Sequence, residues 1–413
     1  MLGRFSTGAF WIFFFSCLLV RFELGGKALP SLVSESTQLS LLTLSPSKER
    51  VYYGFGHSAI RIQDPIQNLD LIFSYGTFDF NQPNFYLNYI IGHLWYRLSV
   101  VSFPEFFRRL RRSSQITVTE QELNLSPTDI GTIYAILSEE VKPENCSYLY
   151  RYMDKNCSTR IRDLFEQVLG SRFDWNISHF RDEGATFRSM MNKNLPEFPW
   201  EHLGINLVLG SPTLDTLIAP KSYLFLPEYM KRAFQYASLE DKKIVKRAKI
   251  IYHIDRMGGA KYDLGNILAH PIFCLWMLFL SLVLLSHIGR SKSYLALGLD
   301  ILVFSFTGLI GCFLIFLWGF TDHISGWNFH LLWSCPLYVF VIFFPRLHAR
   351  WIAMGISILI LCSILLFCIM SLSGSGIPLA SFLPLPLMFF LRLFYRFFYP
   401  SLPQRGFILK SRG

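Results

Sequence analysis

The apolar positions of the chain follow two different patterns. Up to about residue 230 they recur at the periods of strands and helices, whereas after about residue 267 they form long runs with few charges. Such runs can cross a bilayer core of about 30 Å, which takes roughly 20 residues of helix. The pattern predicts an α+β domain followed by an all-α bundle of five membrane-spanning helices, at 268–287, 294–319, 329–345, 351–372 and 377–397.

Two segments of the first part have the two-residue period of strands. Residues 52–62 (YYGFGHSAIRI) and 70–80 (DLIFSYGTFDF) both alternate between two faces, and turn-like residues at 65–68 separate them. The simplest prediction is a hairpin whose first strand carries His57.

Two helices are predicted downstream. The sequence SPTD at 126–129 is typical of a helix start, with a capping serine, a proline in the first turn and an aspartate near the N-terminus. Apolar residues in 161–169 then recur at i, i+3, i+4, i+7 and i+8, and Gly170 is a natural stop. Cys157 lies at or just before the first turn of this second helix.

The segment 231–261, with KKIVKRAKII at its centre, predicts a basic amphipathic helix that is either solvated or rests on lipid headgroups. The connectors 288–293 and 346–350 carry Arg and Lys, whereas 320–328 and 372–377 carry neither. The positive-inside rule therefore predicts that the basic connectors and the C-terminus are cytoplasmic, with the first domain on the opposite face.

Composition agrees with a membrane protein that has a globular part, since 52% of the residues are hydrophobic and 16% are charged. The net charge of +10 does not indicate nucleic-acid binding, because the basic residues lack the required pattern with interleaved aromatic residues. Residues 9–20 form a 12-residue apolar stretch after Arg4, which predicts a signal peptide or an uncleaved anchor. The predicted division is a signal peptide or anchor (1–28), an exported Cys/His domain (29–230), a basic linker (231–266), a transmembrane domain (267–398) and a basic cytoplasmic tail (399–413).

Of the eight cysteines, only Cys146 and Cys157 fall in the exported domain. One interpretation is a disulfide between them, as expected in an oxidising compartment. The other is that Cys157 is a nucleophile, because the N-terminus of a helix stabilises a thiolate. His57 is of the residue type that takes and returns a proton near neutral pH, so the two could act as a pair.

Six separate segments of the chain are distinctive: FGHSAIRI (55–62), YGTFDFNQPNFYLNYIIGHLWYRL (75–98), YLYRYMDKNCSTRIRDLF (148–165), PWEHLGINLVLGSP (199–212), FLPEYM (225–230) and WGFTDHISGWNFHLLWSCPL (318–337). Together they resemble the Lnb family of bacterial lipoprotein N-acyltransferases. The order of His57 and Cys157 also resembles that of circularly permuted papain-like proteins.

The resemblance implies a permuted papain-like (NlpC/P60-like) extracytoplasmic domain, with Cys157 as the acyl-accepting nucleophile and His57 as the catalytic histidine. The group that orients the histidine would lie on the next strand, at Ser74, Tyr75 or Asp79. Asp79 is the weak preference, because a carboxylate best stabilises an imidazolium, although it could equally be a turn residue.

Four further residues are candidates near the reaction. Ser158 and Tyr75 could help to bind an oxyanion, and Asp322 and His323 could line a lipid entrance or be ordinary loop residues. A metal site built from His57, His93 and His323 has no ligand spacing to support it, so neither a metal nor a cofactor is predicted.

The resulting expectation is acyl transfer at the bacterial inner membrane. A fatty acyl chain would move from a membrane phospholipid to Cys157 as a thioester, and then to the N-terminal amine of a diacylated lipoprotein. The alternatives are a membrane-bound cysteine hydrolase, acting as a peptidase, amidase or phospholipase, and a lipoprotein-binding scaffold without enzymatic activity.

Overall fold

A computed structural model of the chain describes residues 29, 33–48, 53–78, 82–111, 115–180, 185–210, 214–255, 264–289, 293–343, 349–372 and 378–397. The predicted signal segment (1–28) and the predicted tail (399–413) lie outside these residues. The chain divides into two compact units, Met1–Glu201 with Leu217–Lys261 and His202–Thr216 with Tyr262–Gly413. We call the first the sheet unit and the second the helical unit.

The strands all belong to the sheet unit. They are β1 (Gln38–Leu44), β2 (His57–Asp64), β3 (Leu69–Thr77), β4 (Trp95–Ser102), β5 (Gln115–Leu123), β6 (Ser147–Leu149), β7 (Phe173–Asp174), β8 (Ser238–Leu239), β9 (Lys242–Lys243) and β10 (Val245–Asp255). The helices up to α5, together with α7, also lie in this unit. They are α1 (Phe85–Ile91), α2 (Phe103–Leu110), α3 (Pro127–Glu140), α4 (Cys157–Leu169), α5 (Phe187–Asn192) and α7 (Pro227–Tyr236).

Seven strands form one antiparallel sheet in the order β10-β5-β1-β2-β3-β4-β6. β2 and β3 pair directly, with Ile60 opposite Phe73, so the predicted hairpin is confirmed. The centre of β2 is buried on both faces, because α4 covers one face and an apolar cluster with α2 covers the other. The sequence therefore places His57 at the start of a strand held rigidly in the middle of the sheet.

Both helix starts predicted downstream are confirmed. The Ser126 side chain accepts a hydrogen bond from the Asp129 backbone N–H at 3.1 Å, and α3 begins at Pro127. α4 begins at Cys157 and ends at Leu169, one residue before Gly170. Four of the five residues of its apolar stripe are buried, with Ile161 and Phe165 fully so, and packing holds α4 against the rest of the sheet unit.

The predicted basic helix at 231–261 is wrong. α7 ends at Tyr236, and the basic segment forms β8, β9 and the long edge strand β10, which pairs with β5. Lys246 and Lys249 reach across to Glu122 and Glu120 of β5, at 2.9 and 3.1 Å. Opposite charges that face each other on neighbouring strands support pairing. The pattern of residues 231–261 alone does not indicate that β5 will supply these acidic partners.

The helical unit contains most of α6 (Pro199–Val208) and the helices α8 (Leu264–Leu268), α9 (Pro271–Ile288), α10 (Ser293–Phe320), α11 (Leu331–Ser334), α12 (Ala349–Leu372), α13 (Leu379–Phe382) and α14 (Pro384–Phe397). Within the described residues, four stretches are long and apolar enough to cross a membrane: Pro271–Ile288, Tyr294–Phe320, Trp351–Met370 and Leu379–Phe397.

The predicted span at 329–345 is wrong as a continuous helix. The structure has the single turn α11 there, followed by a 3-10 segment at Pro336–Phe343. Pro336 cannot donate a helical hydrogen bond and interrupts the turn before it. The prediction of five spans thus becomes four long helices and one broken apolar segment, and the orientation stays a prediction.

Candidate functional site

His57 begins β2, and the neighbouring strand β3 supplies its partner. The Nε2 atom of His57 lies 2.7 Å from the Oγ atom of Ser74. A hydroxyl at this distance fixes the plane of the imidazole ring and leaves Nδ1 as the free ring nitrogen. Ser74 thus occupies the position of an orienting group, one of the three that the sequence left open.

Cys157 is the first residue of α4 and is 8% exposed. The preceding residue, Asn156, caps the helix, since its Oδ1 accepts from the backbone N–H groups of Ser158 and Thr159, each at 2.9 Å. The Thr159 hydroxyl accepts from the Asn156 N–H in return, which completes a capping box. The cap leaves the backbone N–H of Cys157 itself unused by the helix.

The Cys157 thiol and the His57 ring form a hydrogen-bonded pair that carries opposite charges when the proton is transferred. Burial alone would raise the pKa of the thiol, but the charge and the hydrogen bond of His57, with the Ser58 N–H and the Ser158 hydroxyl, lower this pKa below its ordinary value. Burial likewise opposes a charged imidazole, yet Cys157 raises the pKa of His57 above its ordinary value. The thiolate of Cys157 and the imidazolium of His57 therefore stabilise each other.

A β-bulge brings β3 close to the thiol. The register of β3 against β4 shifts between Ser74 and Thr77, and Gly76 has φ +84°. A Cβ atom at Gly76 would lie 3.4 Å from Cε2 of Tyr150 and 3.9 Å from Cβ of Cys157. Gly76 therefore supplies both the positive φ and the narrow space that this approach requires.

Tyr148 and Tyr150, from the segment before α4, lie beside Cys157. Neither tyrosine was predicted as a site residue. Burial and then the charge of Cys157 raise the pKa of Tyr148, so its hydroxyl stays protonated. This buried hydroxyl has no acceptor for its hydrogen in the described part of the chain. The alternation YLYRY at 148–152, shortly before Cys157, was the available signal, since an extended segment sends every second residue, here each tyrosine, to the same face.

The other candidates fall in different places. The Ser158 hydroxyl is fully buried and lies 2.9 Å from that of Ser58, so it braces the helix start against β2. The Tyr75 hydroxyl donates its hydrogen to Glu140, which also binds Arg160 at 2.8 Å. In this arrangement the hydroxyl does not offer its hydrogen to an oxyanion at Cys157.

Three further predicted residues lie outside the described part of the sheet unit. Asp79 lies outside the described residues. Asp322 and His323 follow α10 in the helical unit, where the backbone N–H of His323 donates to the Thr321 hydroxyl at 3.3 Å.

The remaining alternatives from the sequence were a Cys146–Cys157 disulfide and a metal site. Cys146 and Cys157 are both free thiols, so the disulfide interpretation is wrong for this structure. Among the residues that the structure describes, no group of three or more His, Cys, Asp or Glu side chains could hold a metal ion.

Replacing Asn156 by alanine is expected to lower the free energy of unfolding by about 2–4 kcal/mol, through the lost cap and a buried carbonyl left unpaired. The Asn156 amide also donates to the carbonyls of Tyr152 and Phe225, at 2.7 and 2.8 Å. Thermal unfolding of the purified full-length protein measures the effect, with Asn145→Ala as the control because Asn145 is exposed and its side chain bonds the neighbouring Glu139. Equal melting temperatures for the two variants would contradict this role.

Comparison with known proteins gives two family matches. Residues 31–192 match the family model described as the Lnb N-terminal periplasmic domain, and residues 264–401 match the model described as the Lnb transmembrane domain. The first match covers most of the sheet unit with His57, Ser74 and Cys157, and the second covers most of the helical unit. No curated protein and no solved structure matches the chain.

Proposed function

This chain belongs to the Lnb family, as a membrane protein with an N-terminal periplasmic domain, and on that premise we propose that it transfers an acyl chain to lipoproteins through a thioester on Cys157. Membership of the family gives it a lipoprotein-processing role in the cell envelope. The observation that carries the finer proposal is the thiol of Cys157, paired with His57 at the capped start of α4.

In the first half-reaction, the Cys157 thiolate attacks the carbonyl carbon of a phospholipid ester. The oxyanion that forms accepts hydrogen bonds from the backbone N–H of Cys157 at the start of α4 and from the hydroxyl of Tyr148, for which the described residues offer no acceptor. The tetrahedral intermediate collapses when its carbon–oxygen bond to the glycerol breaks. His57 gives its proton to the departing oxygen, so the products are the thioester and a lysophospholipid.

In the second half-reaction, the free α-amine of a diacylated lipoprotein attacks the thioester carbonyl. His57, now neutral, accepts a proton from the amine, and the carbon–sulfur bond breaks to restore the thiolate. The net reaction exchanges an ester for an amide and consumes no cofactor. The half-buried rings of Tyr148 and Tyr150 beside the thiol reduce the access of water, which favours transfer to an amine over hydrolysis.

The relation to papain-like enzymes is part of this proposal. A thiol at a helix start facing a histidine on a strand, with a polar group on the next strand, is the arrangement of permuted papain-like folds. Ser74 takes the orienting role here. The proposal also places the sheet unit in the periplasm, the basic connectors and the C-terminus in the cytoplasm, and the spans in the inner membrane.

The decisive experiment follows the acyl group. Purified full-length protein is mixed with phospholipid vesicles, and the Cys157 peptide is analysed by mass spectrometry for a hydroxylamine-sensitive acyl adduct. A diacylated lipopeptide with a free N-terminus is then added, and we expect its amine to gain the acyl chain. An N-acetylated lipopeptide and Cys157→Ala are the controls.

Other outcomes of this experiment would replace the proposal. Release of free fatty acid without transfer would identify a phospholipase, and cleavage of peptides without lipid would identify a peptidase. Lipoprotein binding that is unchanged in Cys157→Ser and His57→Ala, with no adduct in the native protein, would identify a scaffold.

Ser74→Ala is expected to slow the acylation of Cys157 by about 10–100-fold, the cost of one hydrogen bond to a charged group. The imidazolium would lose its partner on Nε2, and the alkylation profile of Cys157 would shift to higher pH. Ser74→Thr keeps the hydroxyl and should restore much of the rate. A loss in Ser74→Ala without any shift of the pH profile would mean that Ser74 has only a structural role.

A further inference from the structure

An uncharged, apolar surface lies on α1 and the start of β4. Residues 80–96 contain no Asp, Glu, Lys or Arg. Within this segment Tyr86, Leu87, Ile90 and Trp95 are exposed by 52, 57, 50 and 45% of their surface. The Gln82 side chain donates to the Trp95 carbonyl at 3.3 Å, which ties the start of β4 back to the loop before α1. We call these four exposed residues the aromatic patch.

The patch differs from isolated exposed apolar residues elsewhere in the sheet unit. Ile66 is 75% exposed but stands singly in the turn between β2 and β3, and Ile250 is 64% exposed but follows Lys249 on β10. Single exposed apolar residues are ordinary, whereas a contiguous patch marks an interaction surface. Tyr86, Leu87 and Ile90 share one face of α1 because they are spaced by three and four residues.

A row of aromatic rings connects the patch with the thiol. Tyr86 contacts Phe85 with ring centroids 5.4 Å apart, and Phe85 stacks on Phe78 at 6.5 Å. Phe78 contacts Tyr96 at 5.3 Å, and Tyr96 contacts Tyr150 at 4.3 Å.

The last ring of this row lies beside the reactive sulfur. Tyr150 borders the space at Gly76, whose other neighbour is Cys157. The row therefore runs from the exposed face of α1 to the site without a charged residue in it.

We propose that the aromatic patch contacts the lipid bilayer and that the ring row receives the acyl chain of the donor phospholipid. This inference rests on the proposed function for its second part. The bilayer is the occupant favoured by the composition, because Tyr and Trp concentrate at membrane interfaces, Leu and Ile enter the acyl region, and the segment has no charge to desolvate. The same chain carries four candidate membrane spans, so a bilayer is always its neighbour.

The chemistry of the donor fits this arrangement. The ester carbonyl of a phospholipid lies at the boundary between headgroups and hydrocarbon, and its acyl chain is flexible and apolar. A chain that lies along Phe78, Tyr96 and Tyr150 would bring the ester to Cys157 at the end of the row, while the headgroup stays in water.

Direct contact is tested by photo-crosslinking. A benzoylphenylalanine residue is introduced at Leu87 in the full-length protein, which is reconstituted in vesicles of phosphatidylethanolamine and phosphatidylglycerol. We expect a covalent phospholipid adduct at this position and none when the same residue replaces Ile66. An adduct with another segment of this chain or with a second copy, or no lipid adduct, would overturn the proposal.

The function of the patch is tested by adding charge. The double variant L87K/I90K is expected to lower the acylation of Cys157 from vesicle phospholipid at least about tenfold, because lysine disfavours insertion. Acylation by water-soluble p-nitrophenyl butyrate should stay unchanged, as should both rates in I66K. A vesicle rate equal to that of the native protein, or an equal loss with both donors, would overturn the role of the patch.

The crosslinking experiment and the acylation experiment together distinguish a failure of this inference from a failure of the proposed function. If the protein with benzoylphenylalanine at position 87 crosslinks to lipid, but Cys157 of the native protein is never acylated by phospholipid, the membrane contact stands and acyl transfer fails. If acylation occurs and L87K/I90K affects neither donor, acyl transfer stands and the patch has no part in it.

Discussion

His57→Ala is expected to lower the rate of Cys157 acylation by about 10²–10⁴-fold, the usual contribution of a general acid–base group. The imidazole both takes the thiol proton and returns it to the departing oxygen, so its loss affects the formation of the nucleophile and the exit of the leaving group. His253→Ala is the matched control, because this histidine of β10 is exposed and its ring bonds the Thr117 hydroxyl, at 2.8 Å.

The pH dependence of alkylation provides an independent measure of the same pair. In the native protein His57 lowers the pKa of Cys157 and Cys157 raises the pKa of His57, so the thiolate and the imidazolium stabilise each other. Without His57, burial remains as the largest influence and raises the pKa of Cys157. The reaction of Cys157 with iodoacetamide should therefore shift to higher pH in His57→Ala and become slow at pH 7.

The measurement follows the Cys157 peptide by mass spectrometry in a Cys146→Ala background, which removes the other thiol in the described part of the sheet unit. An alkylation profile that is the same in His57→Ala and in the native protein would show that the histidine does not activate the thiol. A shifted profile together with unchanged acyl transfer would mean that the proton is carried by another group.

The local part of the site was accessible to sequence reasoning. The strand of His57 and the helix of Cys157 both follow from short-range periodicity, and the end of α4 follows from the stop at Gly170. The pairing of the two residues did not follow from periodicity. It was suggested by family resemblance, because nothing local records which residues of distant segments meet.

The orienting group was not predictable for a related reason. A regular strand sends Ser74 and Gly76 to one face and Tyr75 to the other, but the bulge between Ser74 and Thr77 breaks that alternation. The sequence preference for Asp79 considered chemistry alone. Ser74 reaches His57 because the bulge and the pairing of β3 with β2 are set by tertiary contacts.

The largest errors have the same cause. The segment around Lys249 has basic residues at helical spacing, yet it pairs with β5 because the acidic residues Glu120 and Glu122 lie opposite. The apolar run at 329–345 has the composition of a span, but Pro336 divides it. Composition predicted the backbone structure of both segments incorrectly, since pairing with a distant strand and one proline outweigh local propensity.

Gly76→Val is expected to lower the acylation rate of Cys157 by about 100-fold, the usual cost of a displacement of about 1 Å at a reacting group. A Cβ at this position already approaches Tyr150 to 3.4 Å and Cys157 to 3.9 Å, and the added methyl groups must enter the same space. The positive φ of +84° adds about 1–2 kcal/mol of backbone strain for any L-residue. Relaxation of the bulge would move Ser74, and with it the ring of His57.

Gly170→Val is a control that distinguishes steric contact with Tyr150 and Cys157 from backbone strain. Gly170 also has a positive φ, of +56°, but nothing lies within 4 Å of its ideal Cβ. Both variants should lose a similar amount of thermal stability, while only Gly76→Val should lose acylation and alkylation of Cys157. Gly76→Ala should fall between Gly76→Val and the native protein, since it adds one carbon at contact distance. Equal losses of activity in Gly76→Val and Gly170→Val would mean that strain alone governs the effect, and the bulge would then have no part in shaping the space beside the thiol.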